Sequence, residues 1–347
     1  MTVPRTARLT TSDPTRPGWT RVRHGSGFGY RDTTGTRIHD AGQLARLKAL
    51  VIPPAWTDVW ICPDPRGHIQ ALGTDAAGRR QYLYHPEFRA QQEAAKHDHV
   101  LTVARRLPEL RARVASDLEL RGLQHDRVAA CAARLLDLGF FRIGSPAYEE
   151  ANGSYGLTTL RRDQTTVHGG TLHFAYPAKS GRERDLTLTD RPAARTVRAL
   201  LRRRDDSPGL WAYWAHRRWE PLTAPDLNAY LRAGLGTDVS AKDFRTWHAT
   251  VLAAVGLAVS WPQAGRSAAA RRRAAARVVR ETAAYLGNTP TVCRASYLNP
   301  RLFELYDQGD TITAALPDLA PGRAGPDGLP GTGQVVELAV LDLLGER

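Results

Sequence analysis

Between residues 86 and 140 the apolar positions of the chain recur every three or four residues, whereas before residue 85 they come in short runs split by turn residues. The two rhythms predict different structures. Apolar residues at i, i+3 and i+4 line one face of a helix, and short β-branched or aromatic runs broken by Gly, Pro and Asp suit hairpins. "YRDTTGTRI" (30–38) and "ICPDPRGHIQALGTDAAGRRQYLYH" (61–85) are of the second kind, so residues 19–90 are expected to form a small, mainly β domain. One helix interrupts it: Asp40 can cap "AGQLARLKALV", and Pro53 with Pro54 stops it.

From Pro86 onward, "PEFRAQQEAAKHDHVLTVARRL", "PELRARVASDLELRG" and "HDRVAACAARLLDLGF" predict three helices, with Pro108 and Gly122 as the breaks. A β insertion follows at 156–190, with tight turns at "HGG" and "KSG" that put Lys179 at or near a hairpin tip. Ser240 and Asp243 form a capping-box pair ahead of "AKDFRTWHATVLAAVGLAV". "SAAARRRAAARVVRETAAYLG" ends at Gly287, and Thr289-Pro290 restarts a short helix toward Tyr297. The chain therefore reads as α+β: an extension (1–18), the β-rich domain (19–90) and a larger, mainly α domain (91–315) with a β-hairpin or three-stranded insertion. Residues 316–333 read as a Pro/Gly linker and 334–347 as an apolar-faced terminal helix able to dock on the helical domain. No internal repeat is visible.

Composition narrows the function. The 347 residues, 42% hydrophobic, can fill two cores, and Lys+Arg 48 against Asp+Glu 35 leaves a formal charge of +13. A polyanionic partner fits this balance, although a solvated basic face would produce the same number. The first residues, "MTVPRTARLTTSDPTRPGW", lack a signal-peptide core, and no apolar run reaches membrane-span length, so DNA is favoured over lipid and the cytoplasm over export. Cys62, Cys131 and Cys293 show no C-x-x-C spacing, which suggests neither a disulfide framework nor a thiolate zinc site. "GSGFG" (25–29) lacks the order of a P-loop, and His97 and His99 sit two apart on a predicted helix, facing different ways. Neither a nucleotide cofactor nor a metal is expected.

Phosphoryl transfer without a metal requires cationic donors around the phosphate, an acid for the leaving oxygen and a nucleophile in line. Candidates for these roles are Arg142 in "GFFRIGSPAYEEANGSYGLTTLR", Lys179 in "FAYPAKSGRERDL", Arg245 in "KDFRTWHAT", Asn288 in "LGNTP" and Tyr297 in "CRASYLNP". Taken singly, each has an ordinary structural explanation: arginines solvate surfaces, hairpin-tip lysines are exposed, Asn288 can belong to a helix cap, and tyrosines pack.

Taken in this order, the segments resemble the small type IB DNA topoisomerases of the poxvirus and bacterial kind. The similarity lies in an Arg before "YGLTTL", a hairpin Lys, a "KD-x-RT" helix, and an "L-G-[NH]-TP" turn ahead of a tyrosine; it extends to "GRRQYLYHPEF" and spans about residues 20–310. The resemblance implies a C-shaped clamp on double-stranded DNA and relaxation of supercoils through a 3′-phosphotyrosine at Tyr297, followed by strand rotation and religation without ATP or metal. It further implies that Arg142 and Arg245 stabilise the transition state and that Lys179 protonates the leaving oxygen. Gln81, Tyr82, Tyr84 and Tyr148 are implied as DNA contacts. Asn288 stands where many relatives carry histidine; an amide can donate a hydrogen bond but cannot titrate near neutral pH. A monomer associated with the nucleoid is expected.

The basic stretches at 198–219 and 266–280 are candidate phosphate contacts. A tyrosine recombinase is the alternative with the same chemistry, but those enzymes usually carry histidine three residues before the second arginine, where this chain has Lys242. A non-enzymatic DNA-binding protein would explain the charge and leave the ordered Arg, Lys, Arg, Asn and Tyr without a reason.

Overall fold

Turn residues in the N-terminal segment close antiparallel hairpins. Strands β1 (Trp19–His24), β2 (Gly27–Arg31), β3 (Thr57–Ile61), β4 (Ile69–Thr74) and β5 (Arg80–Tyr84) make one sheet in the order β2-β1-β3-β4-β5. The β4–β5 turn shows how the sequence does this: the Asp75 side chain accepts the N–H groups of Ala77 at 2.9 Å and Arg79 at 3.0 Å, and Gly78 takes φ +74°. Helix α1 (Ala41–Ala49) is capped by Asp40, which accepts from the Gln43 N–H at 2.7 Å. It packs Leu47 against Ile38, Ile52, Val59, Ile61 and Ala71. Strand alternation sends Leu83 of β5 to this core and turns Arg80, Tyr82 and Tyr84 outward.

The computed structural model describes residues 8–25, 27–318 and 334–345. Residues 1–7 of the expected extension and 319–333 of the expected linker lie outside the described residues. The chain divides into two compact units, Met1–His97 and Asp98–Arg347, and the division falls within helix α2 (Pro86–Leu118).

Helix α2 corrects one expectation: it is not broken at Pro108 but runs 33 residues through it. Pro108 is exposed, while Val100, Val103, Ala104, Leu107, Leu110, Val114 and Leu118 are buried at helical spacing on both sides of it. An interior proline costs about 3 kcal/mol, and burying each large apolar side chain returns about 1.5–3 kcal/mol, so one continuous stripe outweighs one lost hydrogen bond.

The second unit continues with α3 (His125–Gly139), α4 (Pro146–Asn152) and the antiparallel sheet of β6 (Thr165–His168), β7 (Thr171–Ala178) and β8 (Arg182–Thr189). Then come α5 (Arg191–Leu201), a hairpin of β9 (Ala212–Ala215) and β10 (Arg218–Pro221), α6 (Ala224–Leu235), α7 (Ala241–Ala264), α8 (Ala268–Leu286), α9 (Pro290–Ser296), α10 (Arg301–Gln308) and α11 (Gln334–Gly345). At the start of α7 the Asp243 carboxylate accepts the Ser240 N–H at 2.8 Å, as the capping pair predicts. Helix α7 is buried over most of its length, and Val336, Val340, Leu341 and Leu344 of α11 enter the same core. Together the small β unit and the larger helical unit with its three-stranded insertion make an α+β protein, as the sequence pattern predicts.

Candidate active site

Tyr297 closes the C-terminal end of α9, and its surroundings are built by caps. Gly287 ends α8 at φ +63°, its N–H bonding to the Ala284 carbonyl at 3.0 Å and the Asn288 N–H to that of Ala283 at 2.9 Å. Thr289 then caps α9, accepting from the Val292 N–H at 3.3 Å, with Pro290 as the first helical residue. Between these caps Asn288 is left on a tight turn. The Tyr297 carbonyl accepts the Thr250 hydroxyl at 3.2 Å, which ties this residue to α7.

Helix α7 supplies Arg245, which is 4% exposed. It donates through Nη2 to the Leu286 carbonyl at 2.8 Å and through Nη1 to the Phe140 carbonyl, and its guanidinium carbon lies 5.4 Å from the centre of the Tyr297 ring. Arg142 donates to the Asn288 Oδ1 and, at 3.3 Å, to the Gly287 carbonyl. Orientation of the Asn288 carboxamide follows, since a guanidinium can only donate and so must face the oxygen. Arg245 and Asn288 both direct side-chain donors toward the Tyr297 phenol.

The loop carrying Arg142 is held by the "YGLTTL" segment. The Leu157 N–H bonds to the Arg142 carbonyl at 2.7 Å and the Thr158 N–H to the Ile143 carbonyl at 2.8 Å. The two backbones cross so closely that a Cβ on Gly156 would come within 2.5 Å of the Gly144 nitrogen. Glycine at both positions is a steric requirement of the crossing.

Arg142, Tyr148, Lys179, Lys242, Arg245 and Tyr297 line one open cleft of about 370 Å³. Lys179 sits in the turn between β7 and β8, with its Nζ 5.6 Å from the centre of the half-exposed Tyr148 ring. Burial pushes the Tyr297 phenol up, but the Arg245 and Arg142 charges, together with hydrogen bonds from Arg245 and Asn288, outweigh it and leave its pKa below the usual value of about 10. Burial, with the Arg142 charge adding to it, pushes Arg245 down to about 10, so it remains a cation at neutral pH.

The structure thus gathers Arg142, Tyr148, Lys179, Arg245, Asn288 and Tyr297 into one place. Gln81, Tyr82 and Tyr84 belong to the other unit, on β5. Tyr82 and Tyr84 stack with centroids 6.0 Å apart, and Phe88 continues the row 5.4 Å from Tyr84. Gln81 faces the opposite side of the strand and donates to Asp75 at 2.9 Å. Sequence reasoning missed the anchoring residues: Thr250, Arg184, whose Nη1 reaches the Tyr285 carbonyl at 2.6 Å, and Arg182, which reaches the Asn288 carbonyl at 3.4 Å. The alternating "RER" of β8 was the available signal for the two arginines.

Residues 27–75 match the family described as bacterial DNA topoisomerase IB, N-terminal domain, and residues 85–315 match that described as eukaryotic DNA topoisomerase I, catalytic core. The chain belongs to the type IB DNA topoisomerases. It is also similar to the DNA topoisomerase 1B of Acanthamoeba polyphaga mimivirus, with 26% identity over 292 residues that cover 82% of this chain and 86% of the viral protein. In this topoisomerase all the gathered cleft residues fall within the catalytic-core match, whereas Gln81, Tyr82 and Tyr84 fall between the two matches. The enzyme is DNA-binding by family. Among the described residues, no helix is long and apolar enough to cross a membrane.

Proposed function

We propose that the enzyme relaxes supercoiled DNA by breaking and resealing one strand through Tyr297. The phenolic oxygen attacks the scissile phosphorus, the bond from phosphorus to O5′ breaks, and the 3′ phosphate is left esterified to the tyrosine. Lys179 gives a proton to the departing O5′, while the phenolic proton leaves to water in the open cleft. Arg142 and Arg245 carry the charge on the non-bridging oxygens. Asn288 acts as a donor to one of those oxygens and takes no part in proton transfer. Gln81, Tyr82, Tyr84 and Tyr148 contact the duplex. One chain carries every group the step needs, which suits a monomer.

The observation that carries this reading is a half-buried phenol that shares one cleft with Arg142, Lys179 and Arg245, its ring centre 5.4 Å from the Arg245 guanidinium carbon. Arg245 and Asn288 support it, because both direct donors at the Tyr297 phenol, where the phosphate oxygens must arrive for attack. A phosphotyrosine ester keeps the free energy of the broken linkage. The freed 5′ hydroxyl can therefore reverse the step without ATP or metal, and DNA torsion drives rotation in between.

The test is denaturant trapping of the enzyme on end-labelled DNA, followed by mass mapping of the linked peptide. The adduct is expected on Tyr297; one on Tyr285 or Tyr306 would overturn the assignment. Tyr297→Phe is expected to lose at least about 10⁴-fold in cleavage while binding DNA within about twofold of wild type.

A further inference from the structure

One turn beyond Arg245, helix α7 is fixed by buried charges that the proposed chemistry does not use. His248, 4% exposed, bonds through Nε2 to Asp137 Oδ1 at 3.0 Å. Asp137, near the end of α3, also accepts from Arg111 of α2 at 2.8 and 3.0 Å. Arg111 in turn donates to Glu337 of α11 at 2.6 and 2.9 Å, and Glu337 is 5% exposed. Burial alone would push the Asp137 carboxyl up, yet His248 and Arg111 hold it well below the usual carboxylate range. Four helices meet through four side chains. Buried ion networks add little net stability over apolar packing of the same shape, so what this one supplies is geometry.

Three residues past Asp137, α3 ends at Phe140 with φ 53° and ψ 27°. A left-handed conformation costs a non-glycine residue roughly 1–2 kcal/mol, and a bulky aromatic keeps it only where its surroundings insist. Here the Phe140 ring meets the His248 ring edge-on at 5.9 Å, and the Phe140 carbonyl accepts Arg245 Nη1. Contacts therefore run unbroken from Glu337 through Arg111, Asp137, His248 and Phe140 to Arg245, whose guanidinium carbon stands 5.4 Å from the centre of the Tyr297 ring.

We propose that this network and Phe140 are positioning groups for Arg245, and that Glu337 thereby makes the C-terminal helix a working part of the active site. The inference rests on the reading of Arg245 as a ligand of the phosphate oxygens. Removing the Glu337 charge frees Arg111 to pull on Asp137 differently and releases His248 and the Phe140 carbonyl. An error of an ångström in a catalytic group can cost up to about 100-fold in rate.

The experiment measures single-turnover cleavage on two duplexes, one with an ordinary scissile phosphodiester and one with a neutral methylphosphonate in its place. A guanidinium that neutralises oxygen charge matters to the first and little to the second. Glu337→Gln is expected to slow the phosphodiester about tenfold and the methylphosphonate by less than about twofold. Equal slowing of both substrates, as loosened packing would give, or no slowing of either, would overturn the proposal. Should Glu337→Gln fail to fold, Phe140→Gly decides: it keeps the left-handed backbone, removes the ring that His248 touches, and is expected to show the same split. Arg245→Ala is run beside them. If it shows no split, the role of Arg245 itself is wrong; if it splits and neither variant does, the positioning alone is refuted.

Discussion

Tyr297 and Tyr82 are the same side chain in opposite settings. Tyr297 is half-buried, its carbonyl tied to Thr250, its ring beside Arg245, and its phenol drawn to a lower pKa by two guanidinium charges. Tyr82 stands 46% exposed on β5, stacked on Tyr84, on the outward face that it shares with Arg80. A rigid, desolvated setting amplifies electrostatics and suits bond-breaking, whereas an exposed aromatic row can adjust to a partner's surface. The contrast predicts that changes in the cleft act on rate and changes on β5 act on affinity.

The sharpest way to break that contrast is Arg245→Ala, expected to slow single-turnover cleavage about 10³-fold at saturating enzyme. It should also move the pH profile. Cleavage rises with pH as the phenol ionises and levels off at its pKa, which in the wild type lies below the ordinary value of about 10. Without the Arg245 charge the levelling point moves up toward the ordinary value of about 10. Because the folded pKa lies below the unfolded one, the stability this shift contributes is present above the unfolded value and is lost as pH falls through the folded value. An unchanged levelling point in the variant would remove Arg245 as the activating charge.

Lys179→Ala comes next, with an expected loss of about 10²-fold. Its signature is relief. A 5′-thiolate leaves without a proton, so a substrate with sulfur at the bridging 5′ position should bring the variant to within about threefold of wild type. Equal defects on oxygen and sulfur substrates would place Lys179 with the phosphate-binding cations instead of the leaving group.

Much of this architecture was legible in the sequence because it is written in local rules. Asp40, Gly287, Thr289 and Pro290 fix caps through their own backbone chemistry, and those caps sit where the pattern puts them. Pro108 misled because the apolar stripe on both sides of it outweighs its local cost, and a stripe must be weighed whole. The β9–β10 hairpin went unread for the opposite reason. Its turn places His216 at φ 49° and Arg217 at φ 63°, a conformation usually signalled by Asn or Gly, so the stretch offered only its positive charge. In the cleft, motif order named residues from segments over a hundred positions apart that meet around Tyr297. The groups that hold them, Thr250, Phe140 and Glu337, carry no local signal, because what matters about each is a tertiary partner.

The smallest expected effect tests the other half of the comparison. If Tyr82 offers an adaptable contact to DNA, Tyr82→Ala should weaken binding by about 1 kcal/mol, roughly fivefold in Kd, and leave the cleavage rate at saturating enzyme within about twofold of wild type. Gln81 sharpens the test, since strand alternation turns it to the opposite face, where it donates to Asp75 at 2.9 Å. Its contact with DNA exchanges that hydrogen bond for a new one, a trade with little net gain. Gln81→Ala should therefore weaken binding less than Tyr82→Ala when both are titrated at one salt concentration, since phosphate contacts make every affinity salt-dependent. A larger loss from Gln81→Ala, or a rate defect from Tyr82→Ala that saturating enzyme does not cure, would mean that β5 takes part in more than holding the duplex.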